Sequence, residues 1–465
     1  MDVDGDRVSV LSLAPVVETV PVTRPRGRLA FALPLLVAAV AGLAVGASPH
    51  TALVVTAAAV SALVLAVRLE WAALAVIGTA VFEDYLDLLS PWAQEWLVLL
   101  LAIAWATRRA QGPLHEHRLL TTAVPAGAFA VVLLLSTAWH PNGYAGAVAV
   151  GRYAELLVVL LVLADTLAGP LDPRRAARFY VGSCVLAAVC GIVTAILSES
   201  HRVVGPLALA DDLAFSLLAA VALLGTVRSR AHHPIWWAWA ATAVLLLALV
   251  GTRSRATLLA LAVILVISVA TRMISLRYAG ALLVLVATVI AFVLAVLPHP
   301  VGHAISDPQR YAETKIQERN DVRQAAFEMT RDHPVLGLGP GAFALYNQDY
   351  RDDDEKPTDL DLDVAYSSLL EVAAELGSLG ALALLAVFVV PGIAARRRWR
   401  QDRSGLAAIT LLALTGLLVA AVLESEQYRL PLWFIAAMAA ALGHTARPRR
   451  PLFGDSSSGQ VPTRK

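Results

Sequence analysis

The chain has 465 residues, of which 58% are hydrophobic and 16% are charged, and its net charge is +1. Its mean hydropathy is +0.67. Soluble domains carry about 25% charged residues, so this composition excludes a string of soluble domains. The near-neutral charge gives no indication of a nucleic-acid partner. We therefore expect an integral membrane protein.

Long apolar runs follow one another along most of the chain. A hydrocarbon core of about 30 Å requires roughly 20 apolar residues per helix, and on this basis the runs predict an all-α, polytopic transmembrane bundle of about 12–14 spans. In chain order the candidate spans are 29–47, 51–67, 71–89, 93–107, 121–138, 150–168, 179–197, 207–226, 235–251, 255–271, 277–297, 365–394, 405–423 and 430–445. Acidic residues interrupt the third span and the last is short, so either is alternatively a re-entrant or interfacial helix.

The distribution of basic residues predicts the orientation of these spans. With the N-terminus in the cytoplasm, 25 of the 37 Lys and Arg residues fall on the cytoplasmic side, as the positive-inside rule requires. We expect both termini in the cytoplasm and one large extracytoplasmic loop that contains short helices. The predicted regions are a disordered tail at 1–28, membrane helices at 29–297, the loop at 298–364, further helices at 365–445 and a disordered basic tail at 446–465.

A few arginines lie on the extracytoplasmic side against the rule. Arg253 and Arg255 occupy a tight connection, Gly251-Thr-Arg-Ser-Arg255, and Arg202 directly precedes another span. One reading is that these side chains reach the interface or pair with lipid headgroups. The other is that several guanidinium groups on one face bind the phosphate oxygens of a membrane-anchored substrate.

The large loop has three recognisable parts. Residues 310–332 predict an amphipathic helix on which Arg319 and Arg323, four residues apart, share a face. The glycine-rich run from Val335 to Phe343 follows a helix and a proline, so we interpret it as a tight backbone path. The acidic stretch at 349–363 fits a solvated loop better than a divalent-cation site.

Three separated stretches resemble the O-antigen ligase/polymerase superfamily of bacterial glycan-assembling membrane proteins. They are Arg202-Val-Val-Gly-Pro206, the connection at 251–255, and the run from Arg319 to Phe343. The following span, Tyr366 to Gly377, is similar to the family's next motif. The resemblance covers about residues 200–380, in the right order.

The resemblance implies transfer of glycan from an undecaprenyl-diphosphate carrier at the outer face of the bacterial cytoplasmic membrane, by a polymerase or a ligase. It implies no metal and no cofactor. The partners would be a lipid-linked oligosaccharide, a glycan or lipid acceptor, and membrane lipids. The residues assigned to catalysis are Arg202, Arg255, Arg319, Tyr366 and Glu371, and those assigned to substrate binding are Arg253, Arg323 and His333.

One position departs from the family pattern. Ligases of the family have a histidine where this chain has Tyr366, and a tyrosine with its usual pKa near 10 is a poor general base. Glu371 either substitutes as a base or is a structural carboxylate. The departure favours a polymerase or a divergent transferase over a standard ligase. An anion transporter and a non-catalytic relative remain alternatives, although the charges concentrate on one face and no internal repeat is evident.

Overall fold

A computed structural model describes most of the chain between residues 61 and 444. The described residues are 61–62, 64–83, 86, 90, 92–110, 120–197, 210–223, 235–252, 254–271, 280, 284, 287, 308–351 and 364–444. The spans predicted at 29–47, 51–67 and 277–297, the acidic stretch at 349–363 and both tails lie wholly or mainly outside them.

The described residues are helical and include no strand, which confirms the all-α prediction. The helices are α1 (Leu69–Thr79), α2 (Ala93–Arg109), α3 (Leu120–Trp139), α4 (Gly143–Ala168), α5 (Pro173–Leu197), α6 (Ala210–Leu223), α7 (Ile235–Gly251), α8 (Arg255–Ala270), α9 (Pro308–Asp332), α10 (Ala342–Tyr346), α11 (Ser368–Asp402), α12 (Gly405–Leu423) and α13 (Leu430–His444). A 3-10 turn, Asn347–Tyr350, follows α10.

Five of the described helices are long and apolar enough to cross a membrane, namely α3, α4, α5, α11 and α12. Helices α1, α6, α7, α8 and α13 are apolar but shorter. Helix α1 ends at Thr79 rather than at the predicted residue 89. The acidic residues that interrupt the predicted span lie beyond this end. Helix α1 therefore covers only the first part of that span.

Helix α13 lies inside the bundle. It packs against α11, α4 and α12, and residues 430–442 are all buried, including Trp433 and Phe434. A helix that is apolar on every side belongs in an interior. This burial does not fit the interfacial alternative that its short length had suggested.

The loop helix α9 confirms the predicted amphipathic helix. Its apolar face, Val322, Ala326 and Met329, is fully buried. These side chains form a separate small core with Phe343 of α10 and Ala374 of α11. This core attaches α9 to the N-terminal part of α11.

Helix α11 is broken at Gly377, where φ is 70° and ψ is −176°. The glycine-rich run packs into this break. Gly339 N–H donates to the Glu375 carbonyl at 2.8 Å, and Ser378 N–H donates to the Pro334 carbonyl at 2.9 Å. Gly337, Gly339 and Gly341 all have positive φ, as the expected tight path requires.

The connection between α3 and α4 holds the other side of this run. Asn142 Nδ2 donates to the carbonyls of Leu338 and Pro340, both at 3.0 Å. Ser136 Oγ donates to the Leu336 carbonyl at 2.7 Å. The non-helical backbone therefore finds hydrogen-bond partners within the protein.

Ion pairs lie at the opposite end of the bundle. Arg109 at the end of α2 pairs with Asp165 near the end of α4 at 3.0 Å, and Trp105 Nε1 donates to the same carboxylate at 2.8 Å. Arg175 and Glu70, in the first turns of α5 and α1, approach to 3.7 Å. Helices α2 and α4 therefore end on the same side, and α5 and α1 begin next to each other.

Gly377→Ala should destabilise the protein, because an added Cβ would meet the Val335 carbonyl and the backbone is left-handed. A non-glycine residue in such a conformation costs about 1–3 kcal/mol. We expect a lower midpoint of thermal unfolding in detergent. The matched control is Gly182→Ala in α5, where nothing lies within 4 Å of the new Cβ. Equal midpoints for the two variants would contradict this assignment.

Candidate functional site

Two connections between helices pair with each other at the end of the bundle where α11 begins. One is residues 364–368, which lead into the first residue of α11. The other is residues 423–429, which run from the last residue of α12 to the start of α13. Together we call them the paired connections. Ser368 N–H and Oγ both donate to the Glu424 carbonyl, at 3.1 and 3.0 Å. Glu426 N–H donates to Ser368 Oγ at 2.7 Å, and Ser367 N–H donates to Ser425 Oγ at 3.2 Å.

Arg323 of α9 bridges the paired connections. Its Nε and Nη2 donate to the Tyr366 carbonyl at 3.2 and 2.9 Å. Nη2 also donates to the Leu423 carbonyl at 2.9 Å. A planar guanidinium suits this role because its donors are fixed in a fork. The predicted substrate-binding residue is therefore also a structural link between three segments.

Two cationic side chains lie close together here. Burial lowers the pKa of Arg323 most, Arg319 lowers it further, and Glu424 raises it. Arg319 lies over the ring of Tyr366, with its Cζ 4.6 Å from the ring centroid. The structure thus brings Arg319, Arg323 and Tyr366 together.

Glu371 is buried beneath the paired connections and accepts three hydrogen bonds. Oε2 accepts from the Ala365 N–H at 3.1 Å and from Ser425 Oγ at 2.5 Å. Oε1 accepts from Gln427 Nε2 at 2.5 Å. These bonds tie both connections to the start of α11, which supports the structural alternative for this carboxylate over the role of general base.

Arg255 is the first residue of α8 and its side chain is exposed. Its neighbour Ser254 is buried and donates from Oγ to Glu424 Oε1 at 3.3 Å. Glu424 directly follows Leu423, whose carbonyl binds Arg323. The connection that carries Arg255 is therefore attached to the same connection as Arg323.

Three predicted residues are not brought into this group. Arg202 and Arg253 lie outside the described residues. His333, just after α9, lies beside His140, with ring centroids 5.5 Å apart. Ten residues of helix separate it from Arg323, which corresponds to about 15 Å, so His333 is not beside the arginines.

Sequence reasoning missed the residues of the second connection. Glu424, Ser425 and Gln427 hold Ser254, Ser368 and Glu371 in place. The sequence does mark this connection, because the polar run from Glu424 to Arg429 lies between two apolar spans, as residues 251–255 do. The same pattern does not indicate that this connection pairs with residues 364–368.

The segment that contains most of these residues matches a known protein family. Residues 240–385 match the family model described as O-antigen ligase. The match supports membership of the O-antigen ligase-like superfamily. The matched range includes every predicted site residue except Arg202. A search of curated proteins finds no match. The family match supports a membrane glycan-processing function of the ligase or polymerase kind.

Glu371→Ala should lower the thermal unfolding midpoint, because it leaves three donors without their acceptor and each buried unsatisfied donor costs about 1–3 kcal/mol. Glu328→Ala on α9 is the control, since that carboxylate accepts only an exposed bond from Gln324. We expect a clear drop for the first variant and little change for the second. Unchanged stability together with lost activity in Glu371→Ala would instead support a general base.

Proposed function

We propose that the protein transfers or polymerises oligosaccharide from an undecaprenyl-diphosphate carrier at the outer face of the bacterial cytoplasmic membrane. The observation that carries this proposal is the position of Arg319. Its guanidinium lies over the ring of Tyr366 next to a second arginine, and it makes no hydrogen bond or ion pair with any described residue. In the part of the chain that the structure describes, its donors are therefore left for an anion.

A diphosphate is the anion that this arrangement fits best. Guanidinium groups bind phosphate oxygens with two parallel N–H···O bonds. Arg319 has its in-plane donors available, and Arg323 uses only Nε and Nη2 for carbonyls of the paired connections. Arg255 would add charge from the connection that Ser254 attaches to Glu424, and the family resemblance assigns Arg202 the same role.

The reaction would be an inverting displacement at the anomeric carbon. A hydroxyl of the acceptor attacks this carbon and its proton passes to solvent water, while the bond to the carrier oxygen breaks and the diphosphate leaves with the electron pair. Arg202, Arg255 and Arg319 would neutralise the charge that develops on the leaving group. Such preorganised electrostatic stabilisation is often the largest contribution to catalysis.

The placement of the site at a helix-end surface supports chemistry there rather than transport through the membrane. A transporter would place its binding groups near the middle of the spans, whereas Arg255 begins a helix and Tyr366 precedes one. Exposed aromatic side chains lie toward the same end, as they do at membrane–water boundaries. They are Trp92, Trp96, Trp139 and Tyr144.

The proposal predicts that Arg319→Ala and Arg255→Ala abolish transfer while the protein stays folded. With purified protein in liposomes and a lipid-diphosphate-linked oligosaccharide, we expect product formation to fall at least about 100-fold, the usual effect of removing one such stabilising donor. Arg331→Ala is the matched control, since Arg331 is exposed at the far end of the same helix. Normal product yield from Arg319→Ala would contradict the proposal.

A further inference from the structure

We infer that Tyr366 is a positioning residue that holds Arg319 in place through its ring face and Arg323 through its backbone carbonyl. This inference rests on the proposed function, because it concerns how the diphosphate-binding arginines are oriented. It also explains why an aromatic residue stands at this position.

The ring of Tyr366 fixes the orientation of Arg319. The guanidinium carbon is 4.6 Å from the ring centroid, well within the range of a cation–π contact. This contact is made with the ring face and is not a hydrogen bond, and the Arg319 guanidinium donates no hydrogen bond to any described residue. The contact therefore holds the side chain without using the N–H donors that a phosphate would need.

The main chain of Tyr366 fixes Arg323. Its carbonyl accepts from Nε and Nη2 of that arginine. The residue has a φ of 50°, a left-handed conformation that non-glycine residues seldom adopt and that persists where the surroundings determine it. Here both neighbours are anchored, Ala365 by Glu371 and Ser367 by Ser425.

These two contacts counter the repulsion between the arginines. Arg319 lowers the pKa of Arg323, because the two positive charges repel each other. The electron-rich ring face offsets the charge of one arginine, and the Tyr366 and Leu423 carbonyls offset that of the other. One residue thus keeps two like charges close enough to act on one diphosphate.

The test compares Tyr366→Phe with Tyr366→Leu in the purified full-length protein. Binding of undecaprenyl diphosphate and the kinetics of transfer are both measured. Phenylalanine keeps the ring face, so we expect a dissociation constant and kcat/KM within about threefold of the wild type. Leucine removes the ring face. We therefore expect about 5- to 30-fold weaker binding, the range of a partly desolvated cation–π contact. We also expect KM for the donor to rise by a larger factor than kcat falls.

Two controls separate positioning from folding. Tyr346→Leu removes a tyrosine of α10 that is 38% exposed and lies outside the paired connections, and it should change neither quantity. In an Arg319→Gln background, Tyr366→Leu should add little further loss of binding, because the ring acts through Arg319. A purely structural defect would instead add to the loss in that background.

Two results would overturn the inference. If Tyr366→Phe binds the carrier as weakly as Tyr366→Leu does, the hydroxyl group is required. If Tyr366→Leu binds it as tightly as the wild type does, the ring is not required. A third result would separate the two claims. If the wild-type protein binds the carrier diphosphate and Tyr366→Leu binds it less well, but no sugar is ever transferred, the proposed function is overturned and the inference is upheld. Wild-type protein that does not bind this carrier would overturn both.

Discussion

Backbone groups that leave a helix inside an apolar bundle need partners, because hydrocarbon offers none. Arg323 meets this requirement for the two paired connections by donating to the carbonyls of Tyr366 and Leu423. A loop helix, the start of α11 and the end of α12 are joined through this one side chain. Without it, two carbonyls would lose their donors and the candidate site would lose the element that aligns it.

Buried carboxylates surround the arginines and supply the opposite charge. Glu371 holds both connections, and Glu424 holds Ser254 while it raises the pKa of Arg323 against the effects of burial and Arg319. Carboxylates that accept hydrogen bonds from several segments hold those segments in a fixed geometry. The site is therefore best understood as a rigid frame of carboxylates and carbonyls that presents Arg319 to an anion.

The sequence predicted those features that depend on local pattern. Apolar runs predicted the apolar helices, and the spacing of Val322, Ala326 and Met329 predicted α9. The glycines predicted the tight backbone path between Val335 and Phe343. Long-range pairing could not be predicted, because Ser368 and Glu426 are 58 residues apart and neither carries a distinctive signal. For the same reason the structural roles of Arg323 and Glu371 emerged only when their acceptors and donors were located.

The most direct measurement is a cryo-electron microscopy structure of the protein with undecaprenyl diphosphate bound. We expect the diphosphate within hydrogen-bond distance of the Arg319 guanidinium, with that group still stacked on Tyr366 and Arg323 still bonded to both carbonyls. Diphosphate bound away from α9, or Arg319 displaced from the ring when the carrier is present, would contradict the proposed site.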